Sequence, residues 1–182
     1  MNSAIKVTIG GESRVAERGV AVRDVLDGKG RREFVAARVN GRAVDLSRAL
    51  EADAEIQPIT ADSPEGLEII RHSTAHLMAQ AVQSLHPGVQ VTIGPVIEDG
   101  FFYDFAAAPP LTIQDLPAIE KKMHELARAN LAVERLEEPR AEAIRRFREM
   151  GENYKVEILE GIADDQVSLY RQDDWIDLCR GP

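Results

Sequence analysis

Ile5, Val7 and Ile9 alternate with Lys6 and Thr8, the period-two pattern of a strand with one buried face. Gly10-Gly11 turns that strand back toward a second short one, Arg14 to Ala16. Val22, Val25 and Leu26 then recur at helical spacing, up to a stop at Gly28-Lys29-Gly30. Phe34 to Val39 reads as a strand, and Asn40-Gly41 supplies the positive φ angles of a tight hairpin turn. Ala43 to Leu46 returns, and Glu55 to Thr60 closes the set.

This order, ββα followed by more strands, predicts a β-grasp (ubiquitin-like) domain over residues 1–61. Ala61-Asp62-Ser63-Pro64 marks its end, because Asp62 or Ser63 can cap a helix whose first turn holds Pro64 and Glu65. A second domain, residues 62–182, opens with that helix, which should run from Pro64 to Leu85 and stop before His86-Pro87-Gly88. A hairpin region follows: Val89 to Ile93, a turn at Gly94-Pro95, then Val96-Ile97 and Phe101 to Phe105 as strand interrupted by Glu98-Asp99-Gly100. Thr112 to Asn130 is an amphipathic helix with Leu116, Ile119, Met123, Leu126 and Ala127 on one face. Ala132 to Leu136 reads as strand and Pro139 to Met150 as helix, while periodicity leaves Glu152 to Leu159 open between strand and short helix. Val167 to Tyr170 and Trp175 to Leu178 complete an antiparallel sheet under the long helix, so the class is α+β, the second domain being two-layered.

Charge narrows the classes of partner. Against 31 Asp+Glu stand 22 Lys+Arg, a formal charge of -9, which opposes general electrostatic binding to a polyanion. Any nucleic-acid contact would use local clusters, Arg31 with Arg32 or Arg140, Arg145, Arg146 and Arg148, whose plain reading is solvated surface. A single cysteine, Cys179, excludes an intrachain disulfide and fits a reducing cytoplasm. No stretch approaches the ~20 apolar residues of a membrane span.

His72-Ser73-Thr74-Ala75-His76 places two imidazoles ~40° apart around a helix and one turn apart along it, so they can share a ligand. Leu67, Ile70, Leu77, Met78, Ala81 and Leu85 form an apolar stripe nearly opposite, which takes the histidines off the core face. By itself the pair reads equally as two solvated histidines, and a lone Cys179 as an inert thiol. Together they offer either three soft metal ligands or a water-orienting hydrolytic site. Neither His86 nor His124 is placed by spacing as a fourth ligand.

Three longer runs carry a resemblance. Residues 66–77, Gly66 to Leu77, resemble the GLEIIRHSxAHL run of bacterial threonyl-tRNA synthetases. Residues 93–104, Ile93 to Asp104, are similar to their IGPxIxxGFYYD run, and Asp177-Leu178-Cys179-Arg180-Gly181-Pro182 matches their DLCRGPH motif up to its last letter. The first sixty-one residues look like the TGS domain that precedes the editing domain in that family. The resemblance implies hydrolysis of the ester of tRNA(Thr) mischarged with serine, with tRNA(Thr) carrying serine as partner and a homodimeric full-length protein. It implies that His72, His76 and Cys179 line the editing pocket, that Lys155 supplies a cationic group near the ester or water, that Asp177 reads the seryl amino group and that Tyr103 lines the pocket. No cofactor or metal is expected in this stretch, the ATP and zinc sites of the family belonging to its synthetase core, so charging of tRNA is not expected of the stretch alone. The family motif has a histidine after the proline, where the sequence given ends at Pro182. Two other readings stand beside this one: a zinc-holding deacylase like the alanyl-tRNA editing domains, and a non-catalytic RNA- or protein-binding module.

Overall fold

The computed structural model describes residues 4–26 and 33–182, so the expected stop at Gly28-Lys29-Gly30 and the Arg31-Arg32 pair lie outside the described residues. Contacts divide the chain into two compact units, residues 1–70 with Gly181 and Pro182, and Arg71–Arg180. Both contain strands and helices, and the class is α+β.

The first unit holds β1 (Ala4–Ile9), β2 (Glu12–Glu17), α1 (Val22–Val25), β3 (Phe34–Val39), β4 (Arg42–Val44) and β5 (Ala54–Thr60). They form one sheet in the order β2-β1-β5-β3-β4, with β1 and β5 parallel and the other pairs antiparallel. The alternation in β1 buries Ile5 and Val7, which pack with Val22, Val25 and Leu26 around α1 and with Ala37, Leu50, Ala54 and Ile56. Asn40 and Gly41 turn β3 into β4 at φ 50° and 82°, the left-handed pair a two-residue hairpin requires. The Asn40 side chain also accepts from Glu55 N–H at 2.8 Å, tying the turn to β5.

Helix α2 (Pro64–Leu85) begins where the cap residues place it. Ser63 Oγ accepts from Gly66 N–H at 3.0 Å and donates to Thr60 O at 2.7 Å. A Cβ on Gly66 would lie 1.9 Å from Thr60 O, so only glycine allows this entry.

The second unit continues through β6 (Gln90–Val91), β7 (Val96–Ile97), β8 (Gly100–Phe101), β9 (Phe105–Ala106), α3 (Leu116–Ala129), β10 (Val133–Pro139), α4 (Arg140–Glu149), α5 (Asn153–Glu160), β11 (Gln166–Gln172) and β12 (Trp175–Leu178). β10, β11 and β12 form an antiparallel sheet in that order. On one face Leu136, Val167, Leu169, Ile176 and Leu178 pack against Ala143 and Phe147 of α4 and Val156 and Leu159 of α5. Trp175, Asp177 and Cys179, alternating with Ile176 and Leu178, are thereby turned to the other face.

Several expectations need correction. Phe101 to Phe105 is not one continuous strand: Phe101 ends β8, which pairs with β7, and Phe105 opens β9, which pairs with β6, leaving Phe102 to Asp104 between them. α3 starts at Leu116, not Thr112, because Asp115 Oδ2 accepts from Thr112 N–H at 2.7 Å and from its hydroxyl at 3.0 Å, closing a turn ahead of the helix. Glu152 to Leu159, left open by periodicity, is helical with Val156 and Leu159 inward. The apolar stripe of α2 is only partly core: Met78 and Ala81 pack with Ile119 and Met123 of α3, whereas Leu67, Ile70 and Leu85 are exposed. Ala75 and Ala79, on the histidines' side, are as fully buried as Ala81 and Val82, since small side chains admit close neighbours there.

The basic cluster of α4 is largely neutralised. Arg145 pairs with Glu142, Arg146 with Glu138 at 2.8 Å and Arg148 with Glu160 at 3.3 Å. Among the described residues no helix is long and apolar enough to cross a membrane.

Candidate functional site

The i, i+4 spacing on α2 brings the two imidazoles together, ring centroids 4.8 Å apart and His76 Nε2 3.2 Å from His72 Nε2. Cys179, which follows β12 and is 107 positions further along the chain, places its Sγ 3.0 Å from His72 Nε2. Two positions back on the same strand face, Asp177 puts Oδ2 3.2 Å from His76 Nδ1. That contact is close but poorly aligned for a hydrogen bond, so charge attraction carries it.

Asp177 is fully buried and is the hub of the site. Its Oδ1 lies 2.7 Å from Lys155 Nζ and accepts from Leu178 N–H at 2.8 Å. Its Oδ2 accepts from the Tyr103 hydroxyl at 2.9 Å. Lys155 arrives from α5 with its ammonium 3.4 Å from the same hydroxyl and 5.9 Å from the Tyr103 ring centre. Tyr103 is held in turn by Phe105, stacked at 5.0 Å, and by Gly94, where a Cβ would come within 2.3 Å of the ring.

Electrostatics follow from these contacts. Burial alone would raise the Asp177 carboxyl, but the contacts with His76 and Lys155 outweigh it and hold it below the usual carboxylate range. Burial would lower His76, yet Asp177 and then Cys179 raise it to about 9. Burial would raise the Cys179 thiol, yet hydrogen bonding from His72 and His76 and their charge bring it down to about 6. Burial pushes the Tyr103 phenol up and the Asp177 charge adds to it, which keeps it protonated and donating. Near neutral pH the site therefore holds a thiolate and an imidazolium side by side, with a buried lysine–aspartate pair behind them.

His72, His76, Cys179, Asp177, Lys155 and Tyr103 thus meet in one cluster. Lys155, which reads in isolation as a surface lysine of a turn, is only 3% exposed on a helix. Trp175 belongs to the cluster too, its ring edge-on to His76 with centroids 5.8 Å apart, and was not singled out from the sequence. Its signal was there: Trp175, Asp177 and Cys179 share one face by strand alternation. Among the described residues His72, His76 and Cys179 are the group able to hold a metal ion, their ligand atoms lying within 4.8 Å of one another. A closed tetrahedral zinc site would need a fourth donor.

No family model matches the chain. Curated proteins do. A threonine–tRNA ligase of Methylococcus capsulatus is 60% identical over 149 residues, covering 81% of this chain and 23% of that protein. One from Alkalilimnicola ehrlichii is 52% identical over 176 residues, covering 94% of this chain and 28% of that protein. The chain belongs to the threonine–tRNA ligase family. A third member of that family, from Citrifermentans bemidjiense, is 50% identical over 182 residues, with 98% of this chain and 29% of that protein covered. The chain spans about a quarter of the length of the threonine–tRNA ligases it matches. The shared stretch takes in α2 and, in the last two alignments, most of the chain around it.

Proposed function

We propose that this chain carries the N-terminal part of a threonyl-tRNA synthetase, a β-grasp TGS domain over residues 1–61 and the tRNA-editing domain over residues 62–182. The activity is hydrolysis of the ester in seryl-tRNA(Thr), in the cytoplasm and without a metal or cofactor of its own. The observation that carries this reading is the buried chain of contacts from Cys179 through His72 and His76 to Asp177 and Lys155. Such a chain suits acyl chemistry: it orients a water, takes its proton and supplies positive charge beside a developing oxyanion.

Water attacks the seryl carbonyl carbon, forming the new C–O bond, and the ester bond to the ribose oxygen breaks. The proton leaving the water passes to the Cys179 thiolate while the His76 imidazolium gives its proton to the ribose oxygen, so serine and uncharged tRNA are released and the thiol then returns a proton to His76. His72, His76 and Cys179 hold the water and move that proton. Lys155 supplies the cationic group, Tyr103 closes the pocket wall, and Asp177, whose oxygens are taken by Lys155, His76, Tyr103 and Leu178 N–H, holds those groups in place rather than meeting the seryl ammonium. The need for a second site is physical: one methyl group is worth only about 1–3 kcal/mol of discrimination, too little for the synthetic site to reject serine.

Incubating the purified protein with seryl-tRNA(Thr) and threonyl-tRNA(Thr) tests the reading. Serine should be released well above the spontaneous rate and threonine should not. Hydrolysis of neither ester, or of both equally, overturns it. The convergence of two imidazoles and a thiol favours a second reading, a zinc-holding deacylase. Stoichiometric zinc by elemental analysis, with activity lost to chelators, would select that reading.

A further inference from the structure

Trp175 is the single tryptophan of the chain, and its indole stands edge-on to His76, the planes inclined by 70°. Its Nε1–H donates to Gln83 Oε1 at 2.7 Å. Gln83 lies on α2, and its Nε2 donates to Glu152 Oε1 at 2.5 Å and to Val89 O at 3.0 Å. Glu152, 6% exposed, accepts from Val91 N–H through Oε2 at 3.1 Å. Both polar atoms of the Gln83 side chain are therefore engaged, as are both carboxylate oxygens of Glu152. Burial pushes the Glu152 carboxyl up, against the hydrogen bonds of Val91 and Gln83. For packing alone, apolar side chains of the same size would serve as well or better than a buried carboxylate and a half-buried amide. What the polar chain adds is direction, since it starts on two backbone groups beside β6 and ends on the indole that walls His76.

We propose that Gln83 and Glu152 are positioning residues acting through Trp175: their hydrogen-bond chain fixes the indole, and the indole fixes the angle at which His76 faces Asp177, His72 and Cys179. Lys155 and Tyr103 in turn hold Asp177, whose Oδ2 lies 3.2 Å from His76 Nδ1. The ring of His76 thus touches both a charged hub and an aromatic wall, and a hydrolytic group needs such support to keep a near-attack geometry. For its effect on turnover the proposal rests on the hydrolytic reading above, whereas its geometric claim stands apart from it.

The test uses the whole chain with Gln83→Met, which keeps the side-chain length and removes both hydrogen-bonding groups, and with Trp175→Phe, which keeps an aromatic ring and removes the N–H. The single indole N–H resonance, the ring ¹⁵N signals of His76 at one fixed pH, and kcat and KM for seryl-tRNA hydrolysis are recorded. In Gln83→Met the indole N–H should lose its protection from exchange, the His76 signals should move, and kcat should fall about tenfold or more with KM nearly unchanged. Trp175→Phe should move the His76 signals and kcat in the same direction, and it serves alone if Gln83→Met does not fold. Unchanged His76 signals and kcat in variants that have lost the indole hydrogen bond would overturn the proposal. If the unsubstituted protein releases no serine but the His76 signals still move in the variants, the hydrolytic reading fails and the positioning claim survives.

Discussion

Lys155 Nζ and Asp177 Oδ1 lie 2.7 Å apart with side chains 4% and 1% exposed, an ion pair taken almost wholly out of water. Removing one partner of such a pair leaves the other charge buried without compensation, a penalty of about 3–5 kcal/mol. Lys155→Ala should therefore destabilise the second unit by that order in urea unfolding. A loss below about 1 kcal/mol, the scale of exposed pairs, would show that Asp177 is solvated.

The thiol of Cys179 should behave as a thiolate in mildly acidic solution. Its alkylation rate by iodoacetamide should reach half its plateau near pH 6, the value to which the histidines bring it. His72→Ala removes the group 3.0 Å from the sulfur and should move that midpoint upward. A midpoint in the range of an ordinary exposed thiol, ~8.5, would contradict the contact.

Stability should depend on pH at the same residues, with opposite signs. The folded pKa of His76 is raised to about 9, so its stabilisation is complete below its unfolded value of 6.5 and is lost as pH rises through about 9. Cys179 is depressed to about 6, so its stabilisation is complete above its unfolded value of 9.0 and is lost as pH falls through about 6. The stability gap between the protein and His76→Gln should shrink on the alkaline side, and the gap to Cys179→Ser on the acid side. If seryl-tRNA hydrolysis uses the pair, kcat/KM should be bell-shaped with limbs near those two values, which belong to the coupled pair.

Gly94→Ala should harm the site from a distance. Its new Cβ would come within 2.3 Å of the Tyr103 ring, which must swing away and surrender its 2.9 Å hydrogen bond to Asp177. Overpacking of this kind costs about 1–3 kcal/mol, measurable as a fall in Tm. Tyr103→Phe removes only the hydroxyl and separates the two effects: combining it with Gly94→Ala should cost less than the sum of the singles.

His76→Ala should lower serine release by about a hundredfold or more, the usual worth of a group that moves a proton in the transition state. Discharge assays on the variant, with its fold checked by circular dichroism, measure this. Full activity would remove His76 from the mechanism.

Much of the local structure is written in short stretches of sequence. The Asn40-Gly41 turn, the Ser63 cap and the i, i+4 histidines depend on φ preferences, neighbouring donors and the helical period, all of which act within a few residues. The shared face of Trp175, Asp177 and Cys179 is likewise fixed by strand alternation. Tertiary structure decided the rest. Only folding brings Cys179 to a histidine 107 positions away, turns 153–160 into a helix by giving Val156 and Leu159 a core to enter, and takes Lys155 out of water to meet Asp177. Desolvation and long-range partners set those outcomes, and neither leaves a periodic mark in the chain. Residues such as half-buried Gln83 and buried Glu152, polar by type yet bonded to each other, therefore become legible only where their partners are seen.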